Sequence, residues 1–138
     1  MSLALAEILP LHRPRLSFAL LPEKHRLEVV FSGEVAGADY RALMLRALEA
    51  HPEAATMDWL YDLRSYSGSV GHDDVTVVAA RARALAAGRE ERALSVLVTP
   101  DIGMIHWAAA CRVQFHPRRV AVVARMEEAE ALLACPLE

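Results

Sequence analysis

Past residue 36, short apolar runs rich in aromatic or β-branched residues alternate with segments of helical length whose apolar residues recur every three or four positions. That alternation constrains the chain more than any single motif. A strand joined to the next strand by a helix-length connection is parallel to it, and the crossover is right-handed. Tyr40, Leu43, Met44, Ala47 and Leu48 share one helical face within AGADYRALMLRALEAHP, with Asp39 as expected N-cap and Pro52 as the stop. MDWLYDL reads as a strand. DDVTVVAARARALAAG reads as a helix with Val75, Val78, Ala79, Ala82 and Ala86 inward, Asp73 or Asp74 capping it, and Gly88 as a left-handed residue past its end.

ALSVLVT is apolar enough for a strand buried on both faces. PDIGMIHWAAACRVQF follows as a helix, with Asp101 as cap and Met104, Ile105, Ala108, Ala109 and Arg112 on one stripe. RRVAVVA is a last strand. RMEEAEALLAC is a last helix with acids in its first turn, where the helix dipole favours them. Ahead of all this, Leu16–Leu21 and Arg26–Ser32 flank the turn PEKH and predict an antiparallel hairpin. The order ββαβαβαβα therefore predicts an α/β fold with a mixed, mainly parallel sheet, an N-terminal antiparallel hairpin and about four helices.

A chain of 138 residues fits one domain. A domain of about 150 residues buries about 70% of its unfolded-chain surface and folds without a disulfide or metal. Residues 15–136 are expected to form it, after an N-terminal extension over 1–14; Leu137-Glu138 reads as an expression-vector remnant. A net charge of −3 argues against a nucleic-acid footprint. Lys24 is the only lysine, so the many arginines suggest base-composition bias rather than a function for each. Cys111 and Cys135 form no CxxC motif and are expected as reduced thiols in a cytoplasmic protein. No apolar run approaches the roughly 20 residues of a membrane span. The first residues lack the basic start of a signal peptide and carry Glu7 and Pro10.

Chemistry-bearing residues concentrate in YDLRSYSGSVGHDD, residues 61–74, which is expected to run from a strand end through a polar loop into a helix start. His72 beside Asp73 and Asp74 raises an acid–base reading, with Ser67 or Ser69 as nucleophile. YSGSVG lacks the frame of a nucleophile elbow, so a solvated loop with an acidic cap is the simpler reading and no catalytic residue is assigned. A metal set drawn from His72, Asp73 and Asp62 with His106 or Asp101 has neither HExxH nor closely spaced histidines; no metal or cofactor is expected. Asp101, Gly103 and Met104 open a helix and form a candidate ligand or anion site, against the simpler reading of a cap. Trp107 beside Tyr66 would make a partner hot spot if exposed. Phe18, Phe31, Trp59, Tyr61 and Phe115 are expected in the core. Arg118-Arg119, and Arg81, Arg83, Arg89 and Arg92 interrupted by Glu90 and Glu91, are expected to be solvated.

The element order, with LEVVFSGEV, WLYDLRSYSG, LVTPDIGMIHWA and RMEEAEALL as local matches, resembles the STAS domain and in particular the SpoIIAA-like group of small bacterial proteins. The resemblance implies a regulatory protein-interaction module. It also implies a serine at the start of the helix after the central strand, phosphorylated by a partner kinase. The matching positions here, about Val70, Gly71 and His72, hold no serine. Ser67 and Ser69 are the remaining candidate phosphorylation sites, and Asp73 and Asp74 already place negative charge there.

The expectation is therefore a non-catalytic module that binds another protein through Tyr66, Ser67, Ser69, His72 and Asp73, on the loop 66–74 and the helix after it. The alternative is a small apolar-ligand or lipid binder, since the group is also similar to the Sec14 fold. An enzyme using His72 and a nearby acid is the weaker alternative. A homodimer through an exposed strand edge or the apolar N-terminal segment is compatible with the sequence.

Overall fold

The computed structural model describes residues 15–134, and the expectations for 1–14, Cys135 and residues 137–138 lie outside these residues. Strands β1 (Leu16–Leu21) and β2 (Arg26–Val35) pair antiparallel, from Leu16 opposite Phe31 to Leu21 opposite Arg26. A 3-10 turn over Pro22–Lys24 joins them, and His25 closes it at φ 53° with its N–H on the Pro22 carbonyl at 3.0 Å. Helix α1 (Gly37–Ala50), β3 (Asp58–Gly68), α2 (His72–Ala86), β4 (Leu94–Val98), α3 (Ile105–Phe115), β5 (Arg119–Val123) and α4 (Met126–Ala134) follow. The sheet order is β1-β2-β3-β4-β5, and every pair after the hairpin is parallel. The expected α/β fold class and element order are observed.

Alternation along β2 and β3 builds the main core. Leu27, Val29 and Phe31 from β2 meet Trp59, Tyr61 and Leu63 from β3 on the face covered by α1, α2 and α3. Tyr40 of α1 and Tyr61 of β3 satisfy each other inside this core, with their hydroxyls 2.8 Å apart. Burial pushes both hydroxyl pKa values up. The opposite face is covered only in part. Ala129 of α4 packs on Leu60, Val96 and Val98, and Arg26 of β2 holds Glu130 of α4 at 2.9 Å.

Several sequence expectations are corrected. Strands β2 and β3 both run past their expected ends because pairing resumes after an irregularity. Between the pairs Val30/Asp62 and Ser32/Ser65, β3 carries one residue more than β2. Tyr66 and Ser67 therefore lie in a strand, and the connection to α2 is only Ser69–Gly71. Asp39 sits inside the first turn of α1, whose N-cap is Ala36. Of the two residues expected to cap α2, Asp73 and Asp74, it is Asp74 that accepts at its start. Gly88 is left-handed at φ 84°, as expected, and Ala87 before it is also left-handed at φ 51°. On α3 the inward stripe is Ala108, Cys111 and Phe115, while Ala109 and Arg112 are exposed. A 3-10 turn over Ile102–Met104 sets this phase before α3 begins.

Arg118 and Glu90, expected in solvent, are buried. The Arg118 guanidinium stacks 4.0 Å over Trp59 and donates to the carbonyls of Ala55 at 2.6 Å and Met57 at 2.8 Å. Its Nε lies 3.5 Å from the Glu90 carboxylate. The pair ties the turn at 52–56, the α2–β4 connection and the start of β5 together beneath the sheet. Burial lowers the Arg118 pKa to about 10 and raises that of Glu90, and in each case the partner's charge opposes the shift only in part.

Candidate functional site

The residues singled out on the sequence come together around the β3–α2 connection, at the carboxyl ends of the parallel strands. That is where open α/β sheets carry their sites. Four contacts fix the short connection. The Ser69 N–H donates to the Val35 carbonyl at 3.2 Å, which ties it to the end of β2. The Val70 N–H donates to the Tyr66 hydroxyl at 3.1 Å, and the Val70 carbonyl accepts from Trp107 Nε1 at 2.6 Å. The Gly71 N–H donates to Asp74 Oδ2 at 2.9 Å. Val70 itself is buried. With its backbone groups satisfied in this way, the connection is held by the scaffold.

Tyr66 and Trp107 act as a support under this turn. The Tyr66 ring sits edge-on to Phe31 at 5.4 Å and tilted against Trp107 at 6.3 Å. Both rings are half-buried and packed against the main core, so Tyr66 and Trp107 do meet but face mainly inward rather than as an exposed hot spot. Burial also raises the Tyr66 hydroxyl pKa, against the Val70 N–H, which favours the phenolate.

Asp74 joins the turn to α1. Its Oδ1 lies 2.8 Å from Arg41 Nε, and its carboxylate lies against Gly37, the first residue of α1. A side chain at Gly37 would occupy the space that the carboxylate fills. The N-termini of α1 and α2 thus meet at one negative charge, which both helix dipoles favour. Arg41 and Gly37 were missed in the sequence. The available signal was Gly37 directly ahead of the Tyr40 stripe, at a helix start that has no side-chain cap of its own.

The outward surface of this frame carries the other expected residues. Ser67, Ser69, His72 and Asp73 are exposed, and Val77 on the next turn of α2 is 40% exposed. A shallow groove of about 470 Å³ runs along it, lined by Arg41, Gly71, His72, Asp73, Asp74 and Val77. No hydrogen bond joins a serine hydroxyl to the His72 ring among the described residues, so the nucleophile–base arrangement is not assembled.

The other drawn constellations come apart. Asp62 lies on the opposite face of the sheet, where Arg64 holds it through two contacts of 2.9 Å and lowers its pKa. It cannot join His72 around a metal. Among the described residues no three His, Cys, Asp or Glu side chains converge as metal ligands. At Asp101, the Gly103 N–H donates to Asp101 Oδ1 at 2.8 Å, and the Met104 N–H donates to the Asp101 carbonyl at 3.0 Å. Asp101 therefore already occupies the Gly103 and Met104 amides. His106 is exposed on α3.

No family model matches the chain, and no curated protein matches it. Among solved structures, the chain is similar to an uncharacterized DUF3478-family protein with a SpoIIAA-like fold from Shewanella loihica PV-4. The two share 15% identity at a TM-score of 0.55, over 86% of this chain and 92% of that one. At that identity the likeness shows the fold: this chain has a SpoIIAA-like fold.

Proposed function

We propose that the chain is a non-catalytic, regulatory-type interaction module that binds another protein through Ser67, Ser69, His72 and Asp73, with Val77 and Arg41 at the margin. The observation that supports this reading is the contrast between the hydrogen-bonded backbone of residues 69–71 and the exposed side chains around it. A preorganised turn loses little conformational entropy on binding. Tyr66 serves this surface from beneath. Asp74 places its negative charge inside the frame, and Asp73 carries the outward one.

The apolar-ligand alternative needs room between the sheet and helices α2 and α3. In that layer Tyr61, Leu97, Val78, Ala82, Cys111 and Phe115 are all buried in one contiguous cluster, and close packing there argues against it.

Affinity capture from the source cells tests the proposal. Wild type is compared with Asp73→Arg and with His72→Ala, both at exposed positions that leave the Asp74 contacts in place. A protein retained by wild type and lost from both variants supports the reading. Equal retention by all three overturns it.

A further inference from the structure

We infer that two copies of this chain pair antiparallel through the edge of β1 that faces away from β2, with Phe18 on the two-fold axis. Among the described residues, β1 is a terminal strand of the sheet, with β2 its only neighbour in it. Its sequence, LSFALL, has no charge, proline or glycine, and its ladder with β2 is unbroken. Exposed edges are normally guarded by such devices. At the other end of the sheet, Arg112 of α3 reaches over β5 and donates to the Val120 carbonyl at 3.3 Å.

Backbone phase sets the register. The Ser32 N–H donates to the Arg15 carbonyl at 2.7 Å, so residue 15 points its backbone groups toward β2. In an antiparallel ladder this direction alternates. Residues 17, 19 and 21 therefore also point inward, and Leu16, Phe18 and Leu20 point their N–H and C=O groups to the open edge. The side chains of Leu16, Phe18 and Leu20 are partly buried against the main core. A second copy placed with Phe18 opposite Phe18 puts Leu16 opposite Leu20 on both sides of the axis. Every outward N–H then meets an outward carbonyl, and every core-face pair is apolar. A shift of the axis to residue 19 leaves Leu16 opposite Pro22, which has no N–H. The edge left open among the described residues is thus complementary to itself in the register centred on Phe18, and the symmetry is the two-fold of most homodimers.

That register also places Ser17 opposite Ala19 of the second copy, as a pair without hydrogen bonds. Such pairs hold their Cα atoms about 4.5 Å apart, within the range a disulfide spans. Sedimentation equilibrium from about 1 to 200 µM, a range suited to a small interface, tests the pairing. The wild-type mass is expected to rise from 15.2 kDa toward twice that value. Ser17→Lys/Ala19→Lys sets like charges opposite one another across the axis, while position 19 faces Glu28 within its own chain. This variant is expected to keep its far-UV circular dichroism and remain monomeric. Ser17→Cys/Ala19→Cys is expected to oxidise to a reducible covalent dimer, which neither single cysteine variant forms as readily. A wild type that stays monomeric throughout overturns the inference. So does a dimer that survives the lysine pair and gains no cross-link from the cysteine pair.

Discussion

The Asp74 carboxylate of α2 lies against Gly37, so the first turns of two helices are joined by an acid that also caps Gly71 and holds Arg41. This arrangement fixes where α2 starts, and with it the direction in which His72 and Asp73 leave the surface.

Removing the carboxylate should cost stability. Asp74→Ala loses the acceptor for Gly71 and is expected to destabilise the fold by about 1–2 kcal/mol in urea unfolding. Arg41→Ala, which removes only a partly exposed ion-pair partner, should cost under about 1 kcal/mol. Equal losses would show that the ion pair, rather than the cap, carries the effect.

Gly37→Ala is expected to cost about 1–3 kcal/mol, because its methyl group competes with the carboxylate for one space. Much of that cost should disappear when Asp74 is already alanine, and a double-mutant cycle reads the coupling. Strictly additive losses would mean that the two residues do not meet.

The Tyr66 hydroxyl and the Trp107 indole hold opposite sides of Val70. Tyr66→Phe keeps the ring and removes one hydrogen bond, so it should cost about 1 kcal/mol. Amide hydrogen exchange at Val70 should accelerate in this variant while the amides of β4 stay protected. Unchanged exchange at Val70 would remove Tyr66 as the holder of the turn.

Glu90 gives the fold a pH signature. Burial raises its folded pKa above the ordinary 4.5, and Arg118 only partly offsets this. Folding therefore favours the protonated acid. Its contribution is fully present below the unfolded value and is lost as pH rises through the raised folded value. The stability of wild type relative to Glu90→Gln should thus fall as pH rises above the ordinary carboxylate range. A relative stability that rises with pH would mark Glu90 as a net-stabilised carboxylate.

Periodicity made the sheet and helices legible. Trp59, Tyr61 and Leu63 alternate into one core, and Tyr40, Met44, Ala47 and Leu48 fall on a buried helical face. Side chains whose surroundings depend on distant segments were not legible. Arg118 looks like a solvated strand-start arginine until the Ala55 and Met57 carbonyls and the Trp59 face are placed around it. The phase of α3 slipped because a 3-10 turn, invisible to a 3.6-residue pattern, precedes it. The exposure of Ser67, Ser69, His72 and Asp73 was readable from their polarity and their place after the central strand. Arg41 and Gly37 were not, because they reach the turn from another helix.

Hydroxyl-radical footprinting of the chain, alone and with the protein it captures from source cells, tests the proposed contact most directly. Protection of the His72 and Val77 side chains, with Val113 on α3 and Val30 on the open sheet face still reactive, is the expected result. All four are exposed in the free chain, Val113 by 74% and Val30 by 44%. Protection of Val113 or Val30 with His72 and Val77 unchanged would contradict the proposal and move the contact to another face.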